Sequence, residues 1–224
     1  MSGFWQSLAG MDWWMILEAT GDTLLMTGLA LLFTILIGLP LGVVLFLTGR
    51  GQMLENRALY GLLSICVNVL RSVPFLILLI VMIPLTRMLA GTSLGVAGSV
   101  PPLVASAAPF FARLVENALR ELDPGVMEAC QALGADSGQT VWWALLPEAT
   151  TAIVAAVIVT AITLVGYSAM SGVIGGGGLG DLAVRFGYQR YQTDVMVVTV
   201  SILVVMVQLT QVFGDWLVVR LKRK

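Results

Sequence analysis

Histidine is absent from the 224-residue chain, which removes the commonest general base, the His-dependent triads and most transition-metal sites together. Charge is scarce too: 11% of residues carry one, 12 basic against 13 acidic, so no bulk basicity points to nucleic acid. The two cysteines, Cys66 and Cys130, are too few and too separated for a disulfide framework, and both read as reduced packing residues. No Lys or Arg precedes Arg50, so the basic region of a cleavable signal is missing and the N-terminus is expected to be retained. What is abundant is apolar: 58% of residues are hydrophobic and mean hydropathy is +0.94, too apolar for a soluble domain of this size. The chain belongs in a bilayer.

A hydrocarbon core of ~30 Å needs about 20 apolar residues in a helix, and five runs qualify. They are Leu24 to Leu47, with a kink expected at Pro40; Gly61 to Leu85, containing Arg71 and Pro74; a run within Leu94 to Ala112, made irregular by Pro101, Pro102 and Pro109; Ala149 to Met170; and Val195 to Val212. The positive-inside rule selects the arrangement that puts Arg50, Arg57, Arg113, Arg120 and the tail Arg220, Lys222, Arg223 and Lys224 in the cytoplasm, leaving Arg87, Arg185 and Arg190 outside. The N-terminus is then external and the C-terminus cytoplasmic. Ahead of the first run, residues 1–19 place Phe4, Trp5, Leu8, Met11 and Met15 at helical spacing beside Trp13 and Trp14, which suits an external interfacial helix.

Between the third and fourth runs lies a polar island, "EACQALGADSGQTVWWALLPEA", on the cytoplasmic side. "RLVENALREL" continues the third helix, with Glu116 four residues before Arg120 in the favourable order. "DPGVMEACQALG" reads as a short helix capped by Asp123, with Pro124 in the first turn and Gly134 as the left-handed stop. Val126, Cys130 and Leu133 share its apolar face. A second short helix starts at Asp136 or Ser137, and Pro147 ends it or opens the fourth span. So short a knuckle cannot bury Val141, Trp142 and Trp143 by itself. It should dock into a partner, unless the tryptophans rest on headgroups as belt aromatics do.

Glu128, Ala129, Cys130, Gly134, Leu146 and Pro147 resemble the "EAA" loop of ABC importer permeases: E-A-A, three residues, Gly, nine residues, I-x-L-P. Cys130 replaces the second Ala and Ala144 the Ile; both are small or apolar and leave the spacing intact. "NVLRSVPFLILLIVMIPLTRMLAGTSLG", "APFFARLVENAL", "TLVGYSAMSG" and "GGGGLGDLA" are similar to the methionine-uptake branch of that family, over roughly residues 20 to 215. The resemblance implies an all-α polytopic membrane protein with five transmembrane helices and a cytoplasmic helix-turn-helix coupling loop. It would comprise an N-terminal segment 1–19, a type I permease domain 20–215 and a basic tail 216–224 in the inner membrane. The loop would insert into a cleft of a cytosolic ATPase and transmit its closure. The solute would be methionine, L- and D-, delivered by an external binding protein; another amino acid, a phosphonate or a quaternary amine is the alternative.

No nucleotide site is expected on this chain. "GGGGLG" at Gly175 to Gly180 satisfies G-x-G-x-x-G but follows a membrane span rather than a strand, and no G-K-[ST] occurs. These glycines form either a mobile external linker or a point of close backbone approach. No catalytic residue, metal or cofactor is expected, ATP and Mg²⁺ belonging to two partner ATPase subunits. Five helices leave little room for an aqueous route, so a two-fold dimer with the pathway on its axis is expected. Arg71, the one charge well inside a span, with Ser72 ahead of Pro74, either lines that pathway or snorkels to the cytoplasm. Asn68, Tyr167, Ser168 and Met170 are further pathway candidates, though helix packing explains such residues as well. A stand-alone ion-coupled carrier would show intramembrane acids and internal repeats, and neither is visible here.

Overall fold

The computed structural model describes residues 11–222 and contains helices and no strand among them. The main helices are α1 (Trp13–Thr48), α2 (Arg57–Ser72), α3 (Phe75–Val81), α4 (Ile83–Ala90), α5 (Gly95–Arg120), α6 (Pro124–Ala132), α7 (Ser137–Thr140), α8 (Leu146–Ser171), α9 (Gly178–Leu182) and α10 (Thr193–Lys222). Four helical stretches are long and apolar enough to cross a bilayer, or five if the bent pair α2 and α3 counts as one span. The division into two compact units falls within α1, α5, α8 and α10 and at the α2–α3 break.

Several boundaries differ from expectation, each for a local reason. Asp12 accepts hydrogen bonds from the Trp14 and Met15 amides at 3.1 and 3.3 Å, starting α1 eleven residues earlier than the apolar run suggested. Residues 13–19 therefore belong to the first long helix and not to a separate interfacial one; residues 1–10 of that expected segment lie outside the described residues. The chain continues as one helix through Pro40. The second run is not one straight span: α2 starts at Arg57, where the Asn56 side chain accepts from the Leu59 amide, and α3 leaves it at 103°. Pro74 drives its predecessor out of the helical region, and Val73 is extended at φ −78°, ψ 124°. Pro101, Pro102 and Pro109 leave α5 unbroken, because burial of Leu103, Ala107, Ala108, Phe111 and Ala112 outweighs the local penalty.

One unit comprises Phe33–Val73, Ala105–Thr160 and Val212–Lys224. Val43, Phe46 and Leu47 of α1 pack with Phe111, Val115 and Leu119 of α5 and with Val141, Leu145 and Ala149. Gly38 and Gly42, one turn apart, bring α1 backbone against α5. A Cβ at Gly38 would sit 2.9 Å from the Ala108 carbonyl oxygen, and one at Gly42 2.6 Å from that of Ala112 and 2.7 Å from Val115 Cβ. This is small-xxx-small packing, which needs no water-driven hydrophobic effect to hold.

The other unit comprises Met1–Leu32, Pro74–Val104 and Ala161–Gln211. Its glycine run is a close backbone approach, the second of the two expected alternatives. A Cβ at Gly176 would meet Ser99 Oγ at 2.5 Å and Ser171 Oγ at 2.6 Å. Ser99 Oγ donates to the Gly176 carbonyl at 3.2 Å, and the Leu179 amide donates to Thr23 Oγ1 at 2.9 Å. Non-helical backbone is thus satisfied inside protein, as a bilayer demands. Several threonine hydroxyls follow the same rule by bonding back to their own helices, as Thr27 does to the Thr23 carbonyl at 2.7 Å and Thr160 to that of Ala156 at 2.7 Å.

The α1–α5 contact gives a paired prediction. Gly42→Ala should lower thermal stability by about 1–3 kcal/mol through overpacking. Gly28→Ala, exposed on α1 with nothing within 4 Å, should be neutral or stabilising by up to ~1 kcal/mol. Melting curves of the two variants in detergent test this; equal responses would refute the close packing.

Candidate functional site

The polar island is built from the caps its sequence advertises. The Asp123 side chain accepts from the Gly125 amide at 2.8 Å and Pro124 opens α6. At the other end, the Ala135 amide donates to the Cys130 carbonyl at 3.0 Å and the Gly134 amide to that of Gln131 at 3.0 Å. These two bonds are the Schellman pair, and they require the left-handed residue that Gly134 supplies at φ +75°. Asp136 then caps α7 reciprocally with Gln139: the Gln139 amide donates to Asp136 Oδ1 at 2.8 Å, and the Asp136 amide to Gln139 Oε1 at 3.1 Å.

Past α7 the structure departs from a knuckle of two separate helices. Val141–Leu145 forms a π turn, and the chain runs as one helix from Ser137 to Ile174. Pro147 therefore does not end a short helix. It has no N–H for the Trp143 carbonyl, and the wider turn, with the Leu146 amide bonded to the Val141 carbonyl, absorbs the mismatch. Two faces result. Val141, Leu145 and Ala149 are buried in the core with α1 and α5, while Trp142 and Trp143 are 70% and 84% exposed and Leu133 is 86% exposed. Leu133 thus leaves the apolar face it was expected to share with Val126 and Cys130, which are half-buried. Glu128 and Ala129 are exposed. Glu128 borders a cavity of about 420 Å³ with Met127, Gln131, Arg120 and Leu145.

Beneath the loop lies a polar cluster of which only one pair was legible beforehand. Glu116 has a side chain 1% exposed. Its Oε1 accepts from Arg120 Nε at 3.0 Å, from Arg120 Nη2 at 2.8 Å and from the Tyr60 hydroxyl at 3.2 Å. Its Oε2 accepts from Arg113 Nη1. Arg113 Nη2 donates on to Ser64 Oγ at 2.9 Å and Asn68 Oδ1 at 3.1 Å, tying α5 to α2. The spacing Arg113, Glu116, Arg120 carried the signal, since both bases lie on the acid's helical face.

The pathway candidates separate. Asn68 is held by Arg113, and Ser72 Oγ donates to the Asn68 carbonyl at 2.8 Å. Arg71 is not mid-span but in the last turn of α2, where the helix end favours a cation. It is exposed, with its guanidinium carbon 5.9 Å from the Phe110 ring centroid. In the other unit Tyr167 stacks on Phe75, with centroids 4.5 Å apart and planes 4° from parallel. Ser168 is buried and donates to the Val165 carbonyl at 2.8 Å, while Met170 is exposed.

The family model for the binding-protein-dependent transport system inner membrane component matches residues 35–224. The chain belongs to that family. As a member it is a multi-pass inner-membrane component, and the loop described above lies within the matched region. A probable D-methionine transport system permease protein, MetI, of Vibrio cholerae is 45% identical over 210 residues, covering 94% of this chain and 93% of that one. The methionine import system permease protein MetP of Bacillus subtilis is 44% identical over 172 residues, covering 77% and 78%. A crystal structure of the MetNI methionine ABC transporter in an inward-facing conformation superposes with a TM-score of 0.92 at 45% identity, covering 94% of this chain and 99% of that one.

The buried cluster makes its own prediction. Glu116→Gln should cost about 3 kcal/mol, the low end for breaking a buried pair, because it leaves the half-buried Arg113 without its counter-charge while Arg120 is exposed to solvent. Glu116→Asp should recover part of that loss. The melting temperature and monodispersity of purified protein report it, and an unaltered Glu116→Gln would show that the cluster does not hold α5 to α2.

Proposed function

We propose that this chain is the permease subunit of an ABC importer for methionine, driven by ATP hydrolysed on separate cytosolic subunits. The observation that carries this reading is the loop from Pro124 to Leu145: Leu133 is exposed at the end of one capped helix, and Trp142 and Trp143 are exposed on a second capped helix whose opposite face is locked into the core. Docked aromatic surface of this kind suits a protein cleft. The names of the similar permeases support the solute class, D-methionine for one and methionine for the other.

In this reading the N-terminus is external and the C-terminus cytoplasmic, which puts the loop and the arginines at 50, 57, 113 and 120 on the cytosolic side. Two copies form the pathway on a two-fold axis, each presenting its loop to one of two ATPase subunits, and an external binding protein delivers solute. ATP-driven closure would press on the loop, and the continuous helix Ser137–Ile174 would carry the displacement into the membrane. Glu128, Ala129 and Cys130 form the outer edge of the docked element, Gly134 sets its turn, and Leu146 and Pro147 set its entry into α8. Asn68, Arg71, Ser72 and Met170, the exposed members of the pathway set, are the ones placed to meet solute. The chain itself performs no chemistry.

Purification of the tagged chain from its native membrane tests the assembly. A Walker-containing ATPase should be recovered at near one-to-one, and recovery of a lone chain that still supports uptake would favour an ion-coupled carrier. Within the loop, Gly134→Asn tolerates the left-handed turn whereas Gly134→Val does not. The valine variant should lose about ten-fold in ATP-driven methionine uptake, the factor implied by about 1–2 kcal/mol of strain, at unchanged membrane insertion. The asparagine variant should stay near wild type, and equal uptake by both would remove the turn from the transmission path.

A further inference from the structure

A basic cavity of about 350 Å³ opens where α1 ends and α2 begins, lined by Thr48, Arg50, Arg57, Tyr60 and Arg120. Its floor is an ordered loop. The Leu54 amide donates to the Leu47 carbonyl at 3.1 Å and the Asn56 amide to that of Thr48 at 3.1 Å. A Cβ at Gly49 would lie 3.0 Å from Arg120 Nη2, so the guanidinium reaches across from α5 to the loop backbone. Arg120 also stands over the Tyr60 ring, 5.8 Å from its centroid.

The charges do not balance. Arg57 Nε meets Glu55 Oε1 at 3.0 Å, while Glu116 is shared between Arg113 and Arg120. Arg50 is exposed and forms no salt bridge among the described residues. The three guanidiniums that line the cavity are thus served by two carboxylates, one of which is shared with Arg113. Glu55 is itself engaged: the Gly51 amide donates to its Oε2 at 2.9 Å, and this bond, with Arg57, lowers its pKa. It therefore stays ionised and occupied by the loop. The first turn of α2 adds its positive helix end on the same side.

The position says which anion fits. The apolar run of α1 ends at Leu47, one residue before the cavity wall, and Leu59 and Leu62 of α2 are exposed apolar residues beside Tyr60. Basic groups therefore begin where the hydrocarbon-facing surface stops, the height of lipid phosphates. We propose that this cavity binds the phosphate headgroup of an anionic membrane phospholipid through Arg50, Arg57 and Arg120, with the acyl chains lying along the exposed apolar face of α2. The site rests on the membrane assignment of the helices and is independent of the solute transported.

The test uses the full chain, or its complex with the ATPase, purified in mild detergent. Phosphatidylglycerol, phosphatidylcholine and inorganic phosphate are titrated separately, with bound lipid read by native mass spectrometry and stability by melting temperature. Phosphatidylglycerol should be retained and should raise the melting temperature, while phosphatidylcholine should do neither. Arg50→Gln with Arg57→Gln should weaken the phosphatidylglycerol response by about five-fold per arginine removed, leaving the lipid-free melting temperature near wild type because both side chains are exposed. Arg50→Lys with Arg57→Lys keeps the charge and should retain most of the response, so failure of the glutamine pair to fold would not spare the proposal. Equal binding of phosphatidylcholine, or an unchanged response in the glutamine pair, would overturn it. A full effect from inorganic phosphate alone would overturn the lipid assignment in favour of a soluble anion.

Discussion

A carboxylate sealed among apolar helices is tolerated only if its charge is met on the spot, and Glu116, 1% exposed between Arg113 and Arg120, is the constraint around which its unit is organised. Arg113 and Arg120 meet the acid from its own helix, and because Arg113 continues to Ser64 and Asn68 and Tyr60 returns to Glu116, the same cluster fixes the register of α2 against α5. Arg120 is the last residue of α5, and Asp123 caps α6 only three residues later. The start of the coupling loop is therefore held by the same carboxylate that fixes the two helices. Buried ion clusters of this kind are often matched or exceeded in stability by well-packed apolar residues; what this one contributes is a single geometry at the point where the loop departs.

Close backbone packing supplies the remainder of that rigidity. Gly38 and Gly42 put the α1 backbone directly against the backbone of α5 and its Phe111 and Val115 side chains, and Val141, Leu145 and Ala149 are buried in the core those helices form. The loop is thus mounted at both ends on one packed body, through Arg120 and through the π turn. In the other unit, the same economy appears where the backbone is irregular. The glycine run after α8 is narrow enough for Ser99, Ser171 and Thr23 to serve its backbone directly.

The long apolar runs revealed the spans because a bilayer imposes one requirement, length without charge, and the sequence states it openly. The loop was legible down to its caps, since Asp123, Gly134 and Asp136 act on backbone groups within a few residues. Whatever depended on distant partners was not. Hydropathy sees Gly61 to Leu85 as one run and cannot weigh Pro74 against packing, so the 103° break and the relocation of Arg71 to a helix end were missed. The same blindness works in reverse at Pro101, Pro102 and Pro109, where burial overrides local chemistry. Gly38 and Gly42 do not stand out in the sequence, because the spacing that matters is complementary to Ala108 and Ala112 on a helix far along the chain. Glu116 was read with Arg120 as a surface pair; its burial, and so its importance, comes from Tyr60 and Arg113.

The π turn at Val141–Leu145 resolves a conflict that the loop sequence creates. A coupling element must present apolar surface outward while remaining stiff, yet Pro147 threatens the stiffness by removing a donor at the point where the loop enters the membrane helix. Had the helix ended there, a force on Trp142 and Trp143 would be dissipated by a hinge. By widening one turn, the chain keeps a continuous helix from Ser137 to Ile174, loses one ideal hydrogen bond, and gains two faces: Val141 and Leu145 inward, the tryptophan pair outward. A displacement applied to the pair then acts on a body whose inner side is already packed against α1 and α5. For the proposed coupling role the proline is compatible with transmission, because its defect is absorbed within the π turn at Val141–Leu145 and the helix continues beyond it.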